Sequence, residues 1–214
     1  MKNKFFILIS LSFVVAGFIF FSMSKKTEVK KEKDLQPPAN LSTLIRFHNV
    51  SYGNAEAKVS VVEFFDPECE SCREMHPIMK RLISEFGQKV RFVYRYMPLH
   101  HNSLLAAAAL EEARELNKFD EALDLLFERQ PIWGSHANPQ PGLIVEYLQE
   151  LGIPRSRLEF KYLLEKHSQK IQIDKEDGLS LGVQLTPTIF VNGKPLQELG
   201  EAHLREAIEQ TLAK

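Results

Sequence analysis

Cysteine is nearly absent from this chain: its 214 residues hold only two, Cys69 and Cys72, along with a single tryptophan, Trp133. Without a third cysteine there is no disulfide-rich scaffold. A structural zinc site needs four ligands and would have to borrow two of the seven histidines, none of which pair at the spacing of a zinc finger. An excess of one charge is also missing. The net charge is -1, with acids and bases evenly spread, so the electrostatic footprint of a nucleic-acid-binding surface is excluded. No internal repeat is present, which argues against a solenoid.

The first positive feature is an apolar run. After Lys2 and Lys4, Phe5 to Phe21 is apolar except for Ser10, Ser12 and Gly17, and a Lys-rich stretch with prolines follows from Lys25 to Asn40. The run is at the short edge of the ~17 to 25 residues that cross a bilayer, and it is long for the core of a cleaved signal. It predicts a transmembrane signal-anchor over residues 1–24, a charged linker over 25–43 and a domain over 44–214. Ser22-Met-Ser24 offers a small-x-small pattern, so the alternative is a cleaved signal and a released protein. Lys25, Lys26, Lys30, Lys31 and Lys33 outnumber Lys2 and Lys4, and a positive-inside count alone would leave the domain in the cytoplasm. The position at the extreme N-terminus and the redox chemistry below place it outside.

Residues 44 onward read as one mixed α/β unit. Leu44 to Val50 and Val59 to Phe65 have β character. Glu70 to Phe86 carries Met75, Ile78, Met79, Leu82, Ile83 and Phe86 at helical spacing and closes at Gly87. Val90 to Met97 alternates as a half-buried strand ended by Pro98. Helices are expected over Ser103–Leu116, Phe119–Phe127, Leu143–Leu151, Arg155–Lys166 and Ser168–Leu181, with a loop from Gln130 to Gly142. Thr188 to Val191 returns to β character, Asn192-Gly193 signals a hairpin, and a helix over Glu201–Leu212 ends the chain. Strands therefore flank a helical block of about 80 residues instead of alternating with single helices.

Both cysteines sit where the second strand meets the first long helix, as Cys69-Glu70-Ser71-Cys72. Such a pair is a redox dithiol, half of a metal site or a small structural loop. A bridge over a two-residue gap removes little chain entropy, so stability is a poor reason for it. Thiol-disulfide exchange needs one easily ionised sulfur and a second within reach. Cys69, at a helix N-terminus, meets free N–H groups and the positive end of the helix dipole, which lower a thiol pKa. Cys72 lies one turn on. These positions make Cys69 the nucleophile and Cys72 the resolving thiol.

Together these residues resemble the thioredoxin superfamily, and within it the DsbA-like thiol:disulfide oxidoreductases. Five separated features carry the resemblance: Cys69-x-x-Cys72 between strand and helix, Pro77 five residues further on, Glu63 six residues before Cys69, Thr186-Pro187-Thr188 ahead of a strand, and the text from Tyr96 to Ala109. The resemblance implies an α/β thioredoxin fold with a helical insertion, about residues 100–182, between the central strand and the C-terminal hairpin. It implies that Glu63 is a buried acid of raised pKa that shuttles a proton to or from Cys72. Thr186 and Pro187 would form a cis-proline segment that pairs with extended substrates. It also implies exchange of disulfides with exported cysteine-containing proteins, no cofactor beyond the Cys69–Cys72 disulfide, and a membrane redox partner that recycles the dithiol. With only about 20 residues between anchor and domain there is no room for a dimerisation module, so a monomer is implied.

The chain departs from the family between the cysteines. Strongly oxidising relatives carry Pro and then His or another polar or aromatic residue, whereas this chain has Glu70 and Ser71. An ionised Glu70 should disfavour the Cys69 thiolate by on the order of 1 kcal/mol, about one pK unit, with Arg73 and His76 opposing, so a weaker oxidant is expected. The rival reading is a thioredoxin-fold copper-binding protein with Cys69, Cys72 and Met75 or His76 as soft ligands. His100-His101 reads as a helix-entry pair, and Trp133 as either a groove wall or a packed loop anchor.

Overall fold

The computed structural model describes residues 40–214. The expected signal-anchor, residues 1–24, and the linker up to residue 39 lie outside the described residues. Among the described residues no helix is long and apolar enough to cross a membrane.

The element order is α1 (Leu41–Leu44), β1 (Val50–Gly53), β2 (Val59–Phe65), α2 (Glu70–Phe86), β3 (Val90–Tyr96), α3 (Ser103–Glu115), α4 (Phe119–Glu128), α5 (Gln130–Trp133), α6 (Gly142–Glu150), a 3-10 turn (Arg155–Arg157), α7 (Phe160–Ser180), β4 (Thr188–Val191), β5 (Lys194–Pro195) and α8 (Glu201–Leu212). The five strands form one sheet in the order β1-β3-β2-β4-β5. β2 runs parallel to β3 and antiparallel to β4, and the outer strands β1 and β5 pair antiparallel with β3 and β4. A parallel neighbour needs a crossover, which α2 supplies between β2 and β3. All seven residues of β2 are buried, as the central strand of a sheet covered on both faces requires.

The two-residue side-chain period of β2 sorts its residues between two cores. Val61 and Phe65 join the larger cluster, with Met75, Met79 and Leu82 of α2 and Ala106, Ala109 and Leu110 of α3. Val62 and Phe64 face a smaller cluster with Leu44, Val93, Met97 and Phe190. Glu63 lies between Val62 and Phe64, so it projects onto the α2 face, in register with Tyr94 of β3 and Ile189 of β4. An acid is thereby placed among apolar side chains.

Two expectations are corrected. Leu44 to Val50 is not a strand: α1 and a turn occupy it, and pairing begins at Val50. The carbonyls of Thr43 and Leu44 accept from the Arg95 guanidinium at 2.7 and 2.8 Å, and Arg46 forks onto Asp177 at 2.8 and 2.7 Å. These long-range bonds fold the segment against α7. Secondly, the helices expected on either side of His167 are one continuous helix, α7, preceded by the 3-10 turn. His167 is buried in mid-helix and bonded to Glu112 at 2.7 Å, which fixes the place where a break was expected. Gly178 lets α7 approach the sheet: a Cβ there would meet Met97 Sδ at 3.0 Å and the Phe64 ring at 3.1 Å. The helical block between β3 and β4 lies within the expected insertion, and Pro77 lies inside α2.

Candidate active site

Cys69 is the N-cap of α2, in extended conformation with φ -83° and ψ 125°, so the free N–H groups of the first turn point at its sulfur. Both cysteines are free thiols. Cys69 is 7% exposed and Cys72 1%, so Cys69 is the more accessible of two buried sulfurs. Cys69 Sγ lies 3.3 Å from the carbonyl oxygen of Thr186, and Cys72 Sγ accepts from the Asp66 amide at 3.4 Å. The Thr186–Pro187 bond is cis. Residues more than a hundred positions apart thus meet at one sulfur.

The electrostatics separate the two thiols. Cys69 is lowered to about 6, chiefly by the hydrogen bond from the Cys72 thiol and further by Thr186 and the amides of Cys72 and Ser71, all against its burial. Burial pushes Cys72 well above its ordinary value, and the bond it gives to Cys69 holds its proton further. Glu63, 2% exposed, is raised to about 8 by burial and by the charge of Cys69. Its Oε2 makes no hydrogen bond among the described residues, and its field reaches Cys72. At neutral pH the site therefore holds a thiolate at Cys69, a thiol at Cys72 and a protonated Glu63.

Glu70 is partnered at the surface. Its carboxylate turns to its own amide, which lowers its pKa most, and to His136, whose Nε2 is 2.9 Å away. The carboxylate is thus engaged by an amide and an imidazole on the surface.

The copper set is not assembled. Met75 packs into the core, and His76 turns its Nε2 to Asp124 at 2.6 Å with its ring against Phe127. Among the described residues the one group of three or more His, Cys, Asp or Glu side chains close enough to share an ion is Glu112, Glu115 and His167. Those carboxylates are already held by Lys166 and Arg157. Trp133 is the packed anchor, fully buried with its Nε1 donating to the Leu126 carbonyl at 2.7 Å.

Three residues brace the cysteine loop in a way that the sequence does not announce. Asp66 accepts from the amides of Glu68, Leu99 and His100 at 2.8, 2.7 and 3.2 Å. Glu68 accepts from the Asn102 amide and side chain at 2.6 and 2.8 Å and from Ser103 at 3.3 Å. These two buried carboxylates staple the cysteine loop to the loop entering α3. Gln130 donates through Nε2 to the carbonyls of Pro67 and Cys69 at 2.9 and 3.0 Å, fixing the turn from α5. For Asp66 and Glu68 the available signal was their position beside a dithiol; Gln130 gave none, sitting in a stretch with loop composition.

A family model described as Thioredoxin matches residues 47–210. Disulfide bond formation protein D of Bacillus subtilis is 30% identical over 172 residues, covering 75% of this chain and 75% of that protein. The crystal structure of oxidised BdbD from Bacillus subtilis matches with a TM-score of 0.68 at 27% identity, over 83% of this chain and 97% of that one. A thioredoxin-like oxidoreductase from Silicibacter pomeroyi matches at TM-score 0.69 and 24% identity, over 82% and 99% of the two chains, a likeness of fold. A Na(+)/H(+) antiporter NhaA of Herminiimonas arsenicoxydans is 28% identical over 207 residues, 94% of this chain. The chain spans only 32% of that antiporter and 21% of another from Salinispora arenicola.

Proposed function

The chain belongs to the thioredoxin family, and from that premise we propose that it is a DsbA-like thiol:disulfide oxidoreductase acting through Cys69 and Cys72. The observation that carries this reading is the split between the sulfurs: Cys69 is lowered to about 6 while Cys72 is held well above its ordinary value. A stable thiolate favours the reduced dithiol, so the preferred direction is donation of a disulfide. The name of the Bacillus subtilis relative, a disulfide bond formation protein, agrees with that direction.

On this reading a substrate thiolate attacks Cys69 Sγ and breaks the Cys69–Cys72 bond, leaving Cys72 as thiolate. Glu63, kept protonated chiefly by its burial and within the field of Cys72, gives that sulfur its proton. A second substrate thiolate then attacks the substrate sulfur of the mixed disulfide and releases Cys69 as thiolate. Two electrons pass from the substrate thiols to the protein disulfide, and no other cofactor is needed. Thr186 and Pro187 lie beside Cys69, where an extended substrate segment would pair. The substrates are cysteine-containing exported proteins, and a membrane redox partner reoxidises the dithiol. The domain acts as a monomer outside the cytoplasmic membrane, tethered by residues 1–24 or released by cleavage after them. The ion-transport name belongs to antiporters of which this chain matches a minor part.

Equilibrium titration in glutathione buffers with thiol trapping tests the reading. A potential above the glutathione poise is expected; one below it makes the protein a reductase, and failure to cycle refutes disulfide exchange.

A further inference from the structure

The dipeptide between the cysteines carries no positive charge, but two histidines of the helical insertion contact residues on either side of Cys69, namely Asp66 and Glu70. His100, on the loop entering α3, donates from Nδ1 to Asp66 Oδ2 at 2.8 Å. Its amide is held by the same oxygen at 3.2 Å and by Ser103 Oγ at 3.2 Å. Asp66 in turn donates its amide to Cys72 Sγ at 3.4 Å. One residue therefore separates the imidazole from the dithiol. The His136 ring, from the loop after α5, lies 6.0 Å from that of His100 at an interplanar angle of 60°, and its Nε2 is 2.9 Å from Glu70 Oε1. Two loops far apart in sequence thus converge beside the first turn of α2.

The charges facing this pair are predominantly negative. Asp66 and Glu68 face His100 from the loop after β2, and Cys69 from the start of α2; Glu70 faces His136. From α3 the neighbour is the neutral Ser103. From α7, Lys175 is held by the carbonyl of Pro98 at 3.0 Å. His101 is the adjacent exposed residue, and Arg73 and Glu74 lie one turn along α2.

We propose that His100, with His136 beside it, is the electrostatic partner of the Cys69 thiolate, so that the helical insertion supplies the imidazolium missing from the Glu70-Ser71 dipeptide and the oxidising strength of the dithiol follows the protonation of His100. The proposal rests on the disulfide-exchange reading above. His100 is raised above its ordinary value: burial opposes, but Asp66, Cys69 and Glu68 outweigh it. When two substrate thiols reduce the Cys69–Cys72 disulfide, their two protons are released. One is retained by Cys72. The other goes to solvent where His100 is already charged, and to His100 where it is neutral, because the Cys69 thiolate draws a proton there. Where the proton goes to solvent, rising pH draws the equilibrium toward the reduced protein; where His100 takes it up, no proton is released and the equilibrium is level with pH, and at any one pH a charged His100 makes the protein the stronger oxidant.

The test uses the full chain, measuring thiolate absorbance and iodoacetamide reactivity against pH, and the equilibrium with glutathione. His100→Gln should raise the Cys69 pKa by about one unit and weaken oxidation of glutathione about tenfold, equivalent to about 30 mV. His100→Lys, which carries a fixed charge, should keep the oxidising strength but lose the level stretch of the pH profile, its equilibrium with glutathione shifting about tenfold per pH unit across the range where His100 titrates in the wild type. His136→Gln should act in the same direction by about threefold, and His101→Gln should change nothing. His100→Asn keeps a neutral donor toward Asp66, so it reproduces the loss of charge should the glutamine variant misfold. Wild type that fails to cycle would overturn the disulfide-exchange reading. Wild type that cycles while the Gln, Asn and Lys variants share its thiol titration and equilibrium would overturn the role of His100 alone.

Discussion

Replacing Glu63 by glutamine keeps the shape of the side chain and removes its charge. Burial, followed by the charge of Cys69, lifts this carboxyl from 4.5 to about 8. Between those values the folded chain holds a proton that the unfolded chain has released, so the stability of the wild type falls as pH rises, by about 1.4 kcal/mol per pH unit. Relative to Glu63→Gln the wild type should lose about 3 kcal/mol by about pH 7 and about 5 kcal/mol above about pH 8, with little difference near pH 5. Titrating groups beyond the reach of Glu63 are common to both proteins and cancel in the comparison, whereas Cys69, Cys72 and Tyr94 feel its charge. Urea unfolding of the reduced proteins across this range measures the difference. In the disulfide form, without the Cys69 thiolate, the difference should be smaller. A difference that stays flat with pH would mean that Glu63 is not forced to keep its proton, and the proton donor for Cys72 would have to be sought elsewhere.

Cys72→Ser removes the thiol that expels a substrate from Cys69 after Cys69 has attacked a disulfide, so with a disulfide substrate and no free thiol the mixed disulfide should accumulate on non-reducing gels; rapid turnover by this variant would reverse the assignment of the two sulfurs. Gln130→Leu removes the donors to the Pro67 and Cys69 carbonyls and should cost about 1 to 3 kcal/mol in urea unfolding, together with slower exchange. Arg95→Met leaves Asp174 and Asp177 short of a fully buried partner that holds them at 2.8 and 2.6 Å. A cost of about 3 to 5 kcal/mol is expected, and a thermal midpoint equal to wild type would refute the importance of this network.

The dithiol could be read from its place between a strand and a helix, whereas the cis proline and the buried acid were legible only through the resemblance to the thioredoxin superfamily. The Asn192-Gly193 hairpin was readable from the dipeptide itself, with Asn192 at φ 45° and Gly193 at φ 79°. What escaped depends on partners far away in sequence. Leu44 to Val50 has the apolar content of a strand, but Arg95 claims the carbonyls of residues 43 and 44, and no local pattern encodes a guanidinium fifty residues downstream. The polar run around His167 and Ser168 resembles a helix boundary until Glu112 is seen to satisfy the imidazole. The charge of Glu70 was legible, but its pairing with His136, sixty-six positions on, was not.

The bonds that Asp66 and Glu68 accept from the loop between β3 and α3 have a kinetic meaning. The amides of Leu99, His100 and Asn102 lie in a stretch with no regular structure, which would ordinarily exchange with solvent within seconds. Each donates to a buried carboxylate, so releasing any one exposes a charge and not merely a carbonyl. Hydrogen–deuterium exchange should therefore show these three loop amides opening together, on the timescale of helices and strands. Mechanically, the cysteine loop and the entry to the helical insertion form one clamp, and a substrate reaching Cys69 meets a rigid jaw.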